Sequence, residues 1–287
     1  MRRFIALLAW LLVAGPLGAA DLSVVGSDLL GEKFSAGMMA FAKRAGLPLR
    51  LEFTGSRAGA ETMQQGKADL ALLVYAPDEL PPGPPLVVRT VAWHTAVVVV
   101  PKTMPLEEIS YRELQGIFGE NQGLSLRRWS DLGVTGEWAG RPIVPVMGGP
   151  GGGLAGDLFR ARLPVPRLLG VVHVEPDPTA ALRRLGGKEG GIAILPMPPV
   201  QAEFKVLPVA AHPRDRAFLP TADNIFTGDY PLRLPLNVVF RADAARRLLP
   251  LLRFLYSEEA VALWQEAQLM ALPPQARAGQ VTEFEGM

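Results

Sequence analysis

Leu22-Ser23-Val24-Val25, Leu49-Arg50-Leu51-Glu52-Phe53 and Ala68-Asp69-Leu70-Ala71-Leu72-Leu73-Val74 are three short runs rich in aliphatic and β-branched residues, and a segment of helical period separates each from the next. After the first run Gly26-Ser27 makes a turn, and Phe34, Met38, Phe41 and Ala45 then recur at the spacing of one helix face, with Gly46 as the C-terminal signal. After the second, Thr54-Gly55-Ser56 opens a helix that runs through Gln65. Two βαβ steps are therefore complete by residue 75, and the alternation predicts α/β layers.

Further along, a proline-dense link from Pro77 to Pro85 leads into Val87 to Val100. The unbroken Val97-Val98-Val99-Val100 predicts a strand buried on both faces, stopped by Pro101. Ser110 with Glu113 spells a capping box for a helix carrying Leu114, Ile117 and Phe118 on one side. A second α/β block follows: Ile143 to Met147, the glycine run Gly148 to Gly153, a helix from Thr179 to Leu185 and a strand from Gly191 to Leu195. Beyond Pro196-Met197-Pro198-Pro199 the pattern gives another strand, a long loop, the strand Leu236 to Phe240 and two helices from Asp243 to about Gln268. With 287 residues, 49% of them hydrophobic, the chain can bury one sizeable core or two modest ones.

Residues 1–20 read as a signal peptide: Arg2 and Arg3 give the positive start, Phe4 to Val13 the apolar stretch, and Gly18-Ala19-Ala20 a small-residue cleavage site. The apolar run is about ten residues, half of what a bilayer span needs. Without this leader the chain carries 27 basic and 28 acidic residues, with no long basic run, which argues against nucleic acid as a partner. Cysteine is absent, so disulfides, thiolate metal sites, a cysteine nucleophile and lipid anchoring at a cleavage cysteine are all excluded. The expected location is the periplasm, with the exported chain soluble and not lipid-anchored.

Three stretches, in order and at matching spacing, resemble the phosphate-specific substrate-binding proteins of ABC transporters. They are Val24-Val25-Gly26-Ser27 with Thr54-Gly55-Ser56-Arg57-Ala58-Gly59 and Gly66-Lys67-Ala68-Asp69; Ile109 to Gly119 with Arg128-Trp129-Ser130-Asp131-Leu132-Gly133; and Asn224-Ile225 with Gly228-Asp229-Tyr230-Pro231-Leu232-Arg233. The resemblance implies an α/β, bilobal type II periplasmic binding protein fold, with two α/β lobes joined by two crossover strands. Residues 21–98 plus 203–287 would form lobe 1, and 99–202 lobe 2. It also implies a monomer that binds a small anionic ligand, phosphate or another oxyanion, in the cleft between lobes and presents it to an ABC permease.

Turns that open helices are natural anion sites, because they combine unsatisfied N–H donors with the positive end of the helix dipole. Three such turns occur here, and by resemblance they line the cleft: Ser27-Asp28; Thr54, Ser56 and Arg57; and the glycine run containing Gly149, Gly151, Gly152 and Gly153. Ser27 and Ser56 suit either a helix cap or a ligand contact. Arg57 suits either bidentate pairing with an oxyanion or a plain place on the surface. Asp28 suits either the helix dipole or the proton of a protonated oxyanion, and Asp69 a structural role.

The resemblance is not complete. Where the family's second-lobe turn supplies two hydroxyls and an arginine, Gly148 to Phe159 has neither, and Leu73-Val74-Tyr75 stands where the family carries a carboxylate. Two readings stay open: a cleft re-tuned for another ligand with Arg57 and Tyr75, or a non-transport relative that acts as a periplasmic interaction or signalling protein. Enzyme signatures are missing. His94, His173 and His212 are isolated, no nucleophile, metal or phosphate-loop pattern occurs, and Pro150 interrupts the glycine run, so neither catalysis nor a cofactor is expected. If residues 1–20 are cleaved on export, amino-terminal sequencing of secreted protein will begin at Asp21; an intact Met1 would contradict the leader.

Overall fold

A computed structural model describes residues 21–75, 79–120, 123–149, 155–156, 158–159, 168–187 and 190–287. The expected signal peptide 1–20 and the glycines Gly151, Gly152 and Gly153 lie outside the described residues.

The first sheet contains β1 (Leu22–Gly26), β2 (Leu49–Glu52), β3 (Leu70–Val74), β4 (Leu86–Thr95), β12 (Arg233–Arg241) and β13 (Met270–Ala271), in the order β13-β4-β12-β3-β1-β2. β1 runs parallel to both β2 and β3, and β12 runs antiparallel to β3 and β4. Helix α1 (Gly31–Ala45) buries Phe34, Met38 and Ala42, a stripe at i, i+4 and i+8. It ends as its sequence dictates: Gly46 adopts φ 64°, and its N–H caps the carbonyls of Ala42 and Lys43. Phe34 stacks on Trp264 of the helix Glu258–Glu266 at 4.5 Å between ring centroids, closing one face of the sheet. Helix α2 (Ser56–Gln64) covers the other face, where Val25, Met63, Ala71, Leu73 and Val239 form a separate cluster.

The second sheet contains β5 (Val97–Pro101), β7 (Pro145–Gly148), β8 (His173–Glu175), β9 (Ile192–Leu195) and β10 (Phe204–Leu207), in the order β10-β5-β9-β7-β8. Val97 to Val100 are fully buried. Val97 and Val99 face the helix Pro178–Leu185 through Ala181 and Leu185, while Val98 and Val100 face the main core. Burial on both faces is why this strand is aliphatic at every position. A short parallel pair, β6 (Ile109–Ser110) with β11 (Val209–Ala210), lies beside it. At the start of α3 (Tyr111–Phe118) the capping box forms, with the Ser110 N–H donating to Glu113 at 2.7 Å.

The run from Val87 to Val100 is not one strand. It leaves the first sheet at Thr95 and enters the second at Val97, and Ala96 is the residue between. Ala96 donates its N–H to Leu232 at 3.1 Å and accepts the Tyr230 hydroxyl at 2.8 Å, so the outgoing chain lies against the returning one just before β12. Phe204–Leu207 pairs antiparallel with Val98–Pro101 and so belongs to the second sheet. After β13 comes a helix, Pro274–Glu285, beyond the closing helix pair read from the sequence. Its signal was Pro273-Pro274, since proline suits a first helical turn.

Next to the crossover sits His94, 2% exposed, with no hydrogen-bond partner for either ring nitrogen among the described residues. Burial disfavours the imidazolium and lowers its pKa to about 3. In the unfolded chain a histidine titrates near pH 6.5, so between pH 6.5 and 3 the unfolded state binds a proton that the folded state refuses. The resulting stability is complete above pH 6.5 and falls as the pH is lowered through that window. At pH 5 this group alone removes about 2 kcal/mol. Denaturant titrations of His94→Leu are expected to show a shallower loss of stability than the native chain from pH 7.5 to 5; parallel curves would show that His94 accepts the proton while folded.

Candidate functional site

The parallel strands β1, β2 and β3 point their C-terminal ends the same way, and at such an edge α/β sheets place their ligands. Two turns meet there. Gly55 donates its N–H to the Gly26 carbonyl at 2.9 Å, and Ser27 donates its N–H to Leu72 at 2.9 Å. The backbones approach so closely that glycine is required: a Cβ on Gly26 would lie 2.2 Å from the Leu72 carbonyl oxygen, and one on Gly59 would lie 3.0 Å from the Gly26 Cα. Gly26 and Gly59 thereby let the start of α2 settle against the end of β1.

Ser27 is the N-cap of the short turn Asp28–Leu30, where its hydroxyl accepts the Leu29 N–H at 3.3 Å, and it is 1% exposed. Ser56 is not a cap. Gly55 holds that position, and the Ser56 hydroxyl accepts the Val74 N–H at 3.0 Å, fastening α2 to the end of β3. Beyond these fixed groups the start of α2 is open. Thr54 and Arg57 are exposed, and Arg57 makes no ion pair among the described residues. The N–H groups of Ser56, Arg57 and Ala58 open the helix and have no acceptor within it. Three amide donors and the positive helix end thus meet at a single turn that also carries the exposed Arg57.

The other expected residues are arranged differently. Asp28 is exposed and borders a surface groove between α1 and β2, with Glu32, Ser35 and Arg50. Asp69 is structural: its carboxylate accepts the Ser23 N–H at 2.8 Å and pairs with Arg247. Tyr75 does not join the turn at Thr54–Arg57. It shares a face with Ala71 and Leu73 and packs under α2 beside Ala60 and Met63. Gly149 has φ 130° and donates its N–H to the Glu175 carbonyl at 2.9 Å, so that amide is already committed. Gly148 is required for packing, because a Cβ there would meet Leu195 at 2.8 Å and Pro178 at 3.0 Å.

Reading the sequence for ligand groups overlooked the joint between the sheets. Arg233 stacks on Trp93 at 4.3 Å and donates to the Phe226 carbonyl at 3.2 Å, where the glycine at Gly228 leaves it room. Thr95 donates to the Pro196 carbonyl at 2.7 Å in a buried setting. The spacing of Gly228, Tyr230 and Arg233 was the available signal.

A family profile described as the PBP superfamily domain matches residues 14–259. A comparison with curated protein sequences finds no match. Among solved structures, the chain is similar to an ABC-type phosphate transport receptor from Vibrio cholerae, at 18% identity and a TM-score of 0.65, over 88% of this chain and 100% of that one. It is similar to PstS from Borrelia burgdorferi at 12% identity and a TM-score of 0.69, over 88% and 98%. A third likeness is to a phosphate ABC transporter substrate-binding protein from Clostridium perfringens with bound phosphate, at 17% identity and a TM-score of 0.54, over 88% and 100%. These likenesses establish the fold, two α/β lobes joined by two crossover strands. No helix among the described residues is long and apolar enough to cross a membrane.

Replacing Ser56 by alanine leaves the part-buried Val74 N–H without its acceptor. This is expected to cost about 1–3 kcal/mol, measured by denaturant titration without any added solute. Unchanged stability would show that Ser56 does not fasten α2 to β3.

Proposed function

The chain belongs to the PBP superfamily, and from that premise we propose that it is a periplasmic solute-binding protein that captures a small oxyanion between its lobes and delivers it to an ABC importer. The observation that carries this reading is the start of α2, where three helix N–H groups, Thr54 and the exposed Arg57 face one turn at the C-terminal edge of the parallel strands. The phosphate named for the neighbouring structures agrees with that chemistry. In this reading the protein works as a monomer. The lobes would then divide near Ala96, where the chain passes from the first sheet to the second, and after the strand Phe204–Leu207 on the return, close to the expected division into 21–98 plus 203–287 and 99–202. Closure about these passages would bring the second lobe toward the anion.

A second reading is favoured by a specific observation. The Gly149 amide is spent on Glu175, Ser27 caps its own turn, and no cationic side chain occurs from Gly148 to Phe159. A charged partner withheld from an anion forfeits roughly 1.5–3 kcal/mol, about ten- to a hundredfold in affinity. A relative that keeps the two lobes for interaction or signalling, without tight binding, would show these losses.

Thermal unfolding of the exported chain with phosphate, sulfate and a panel of other oxyanions separates the two readings. Binding to the native state stabilises it by about 2.7 kcal/mol at a hundredfold excess over the dissociation constant. The transport reading predicts a concentration-dependent upward shift that Arg57→Ala weakens by roughly ten- to a hundredfold. An unaltered shift in Arg57→Ala removes Arg57 from the site, and no shift with any anion supports the interaction reading.

A further inference from the structure

Under α2, at the far end from its first turn, lies a cavity of about 110 Å³. Its walls are Ala60, Met63, Leu73, Leu86 and Val239, and Tyr75 lines it with them. Tyr75 is 6% exposed, and its hydroxyl is buried with no hydrogen-bond partner among the described residues. A buried hydroxyl left unpaired costs roughly 1–3 kcal/mol. Burial, assisted by the negative charge of Glu79, pushes the phenol up to about 12, so at neutral pH the oxygen keeps its proton and can donate as well as accept.

The lining defines what fits. Gln64, Glu79 and Leu80 also border the cavity, and all three are exposed. No lysine or arginine lines it among the described residues, and the carboxylate of Glu79 repels anions, which disfavours here the solute proposed for the turn at Arg57. An ordered water needs two to four polar partners, whereas among the described residues the buried part of the wall offers only the hydroxyl of Tyr75. An apolar cavity of roughly 150 Å³ takes benzene, which puts the occupant of this smaller one at a chain of about three to five carbons.

We infer that this cavity is a second binding site, for a small uncharged amphiphile whose single oxygen pairs with the Tyr75 hydroxyl while its carbon chain lies against Met63, Leu73 and Val239. A short-chain alcohol is the simplest member of that class. The site does not depend on the anion reading, although its occupant would brace from below the helix whose first turn carries Arg57.

The test is a titration of the full chain with 1-butanol, followed through the Met63 methyl resonance, which is identified by its loss in Met63→Leu. The expected result is a saturable shift. Tyr75→Phe, which removes one oxygen, weakens binding roughly fivefold, the worth of one hydrogen bond. Ala60→Leu fills the space and abolishes the shift. A linear drift without saturation overturns the inference, as does equal affinity in the native chain and Tyr75→Phe. Tyr75→Phe alone decides the matter if Ala60→Leu does not fold. Repeating the series with phosphate present keeps the two sites apart, because loss of the butanol response beside an intact anion response condemns only the cavity.

Discussion

Ala96 donates its N–H to the Leu232 carbonyl and receives the Tyr230 hydroxyl on its own carbonyl, and through these two bonds the outgoing and returning passages between the sheets lie side by side. The setting is dry: Ala96, Tyr230 and Leu232 are fully buried, and an unmade hydrogen bond there would cost far more than one at the surface. The bonds therefore fix where β4 ends and β5 begins, and with them the position of each sheet relative to the joint. Thr95 on Pro196 and Arg233 on Trp93 extend the same contact outward. Flexing in the proposed function would draw on the few backbone angles at this joint while both cores stay packed.

The same constraint explains what was legible in the sequence. Val97 to Val100 announced a strand buried on both faces because both of its faces meet packed side chains. The change of sheet at Ala96 has no local signal, since a chain that continues extended from one sheet into another has no turn residue to mark it; the resemblance alone pointed to a crossover there, at residues 98–99. The helices α1 and α3 were readable from local chemistry, Gly46 in the left-handed region and the Ser110–Glu113 box. The helix Pro274–Glu285 has only the Pro273-Pro274 start as a local signal, because its buried residues, Arg277 and Phe284, leave little apolar period. Arg277 is buried for structural reasons, donating to the carbonyls of Leu272 and Tyr256.

At the candidate site, residue types were readable and their orientation less so. Ser27 and Ser56 both stand beside helix starts, yet one caps its own turn and the other clasps a neighbouring strand. Tyr75 could have been placed by parity: counting in twos from Ala71 and Leu73 puts it on the α2 face, away from the turn at Arg57. The close approach of Gly26 and Gly59 emerges only in three dimensions, where neighbouring backbone occupies the space that a side chain would take. What remains at the turn is a group of amide donors beside the exposed Arg57, the chemistry on which the proposed oxyanion site rests.

The claim that this turn is an anion site has one direct test, the electron density of the chain purified without added ligand and crystallised in buffer free of phosphate and sulfate. The account predicts a retained anion within hydrogen-bond distance of the N–H groups of Ser56, Arg57 and Ala58, with the Arg57 guanidinium turned onto it. Density showing those three N–H groups capped by protein atoms, with Arg57 directed into solvent, would contradict it.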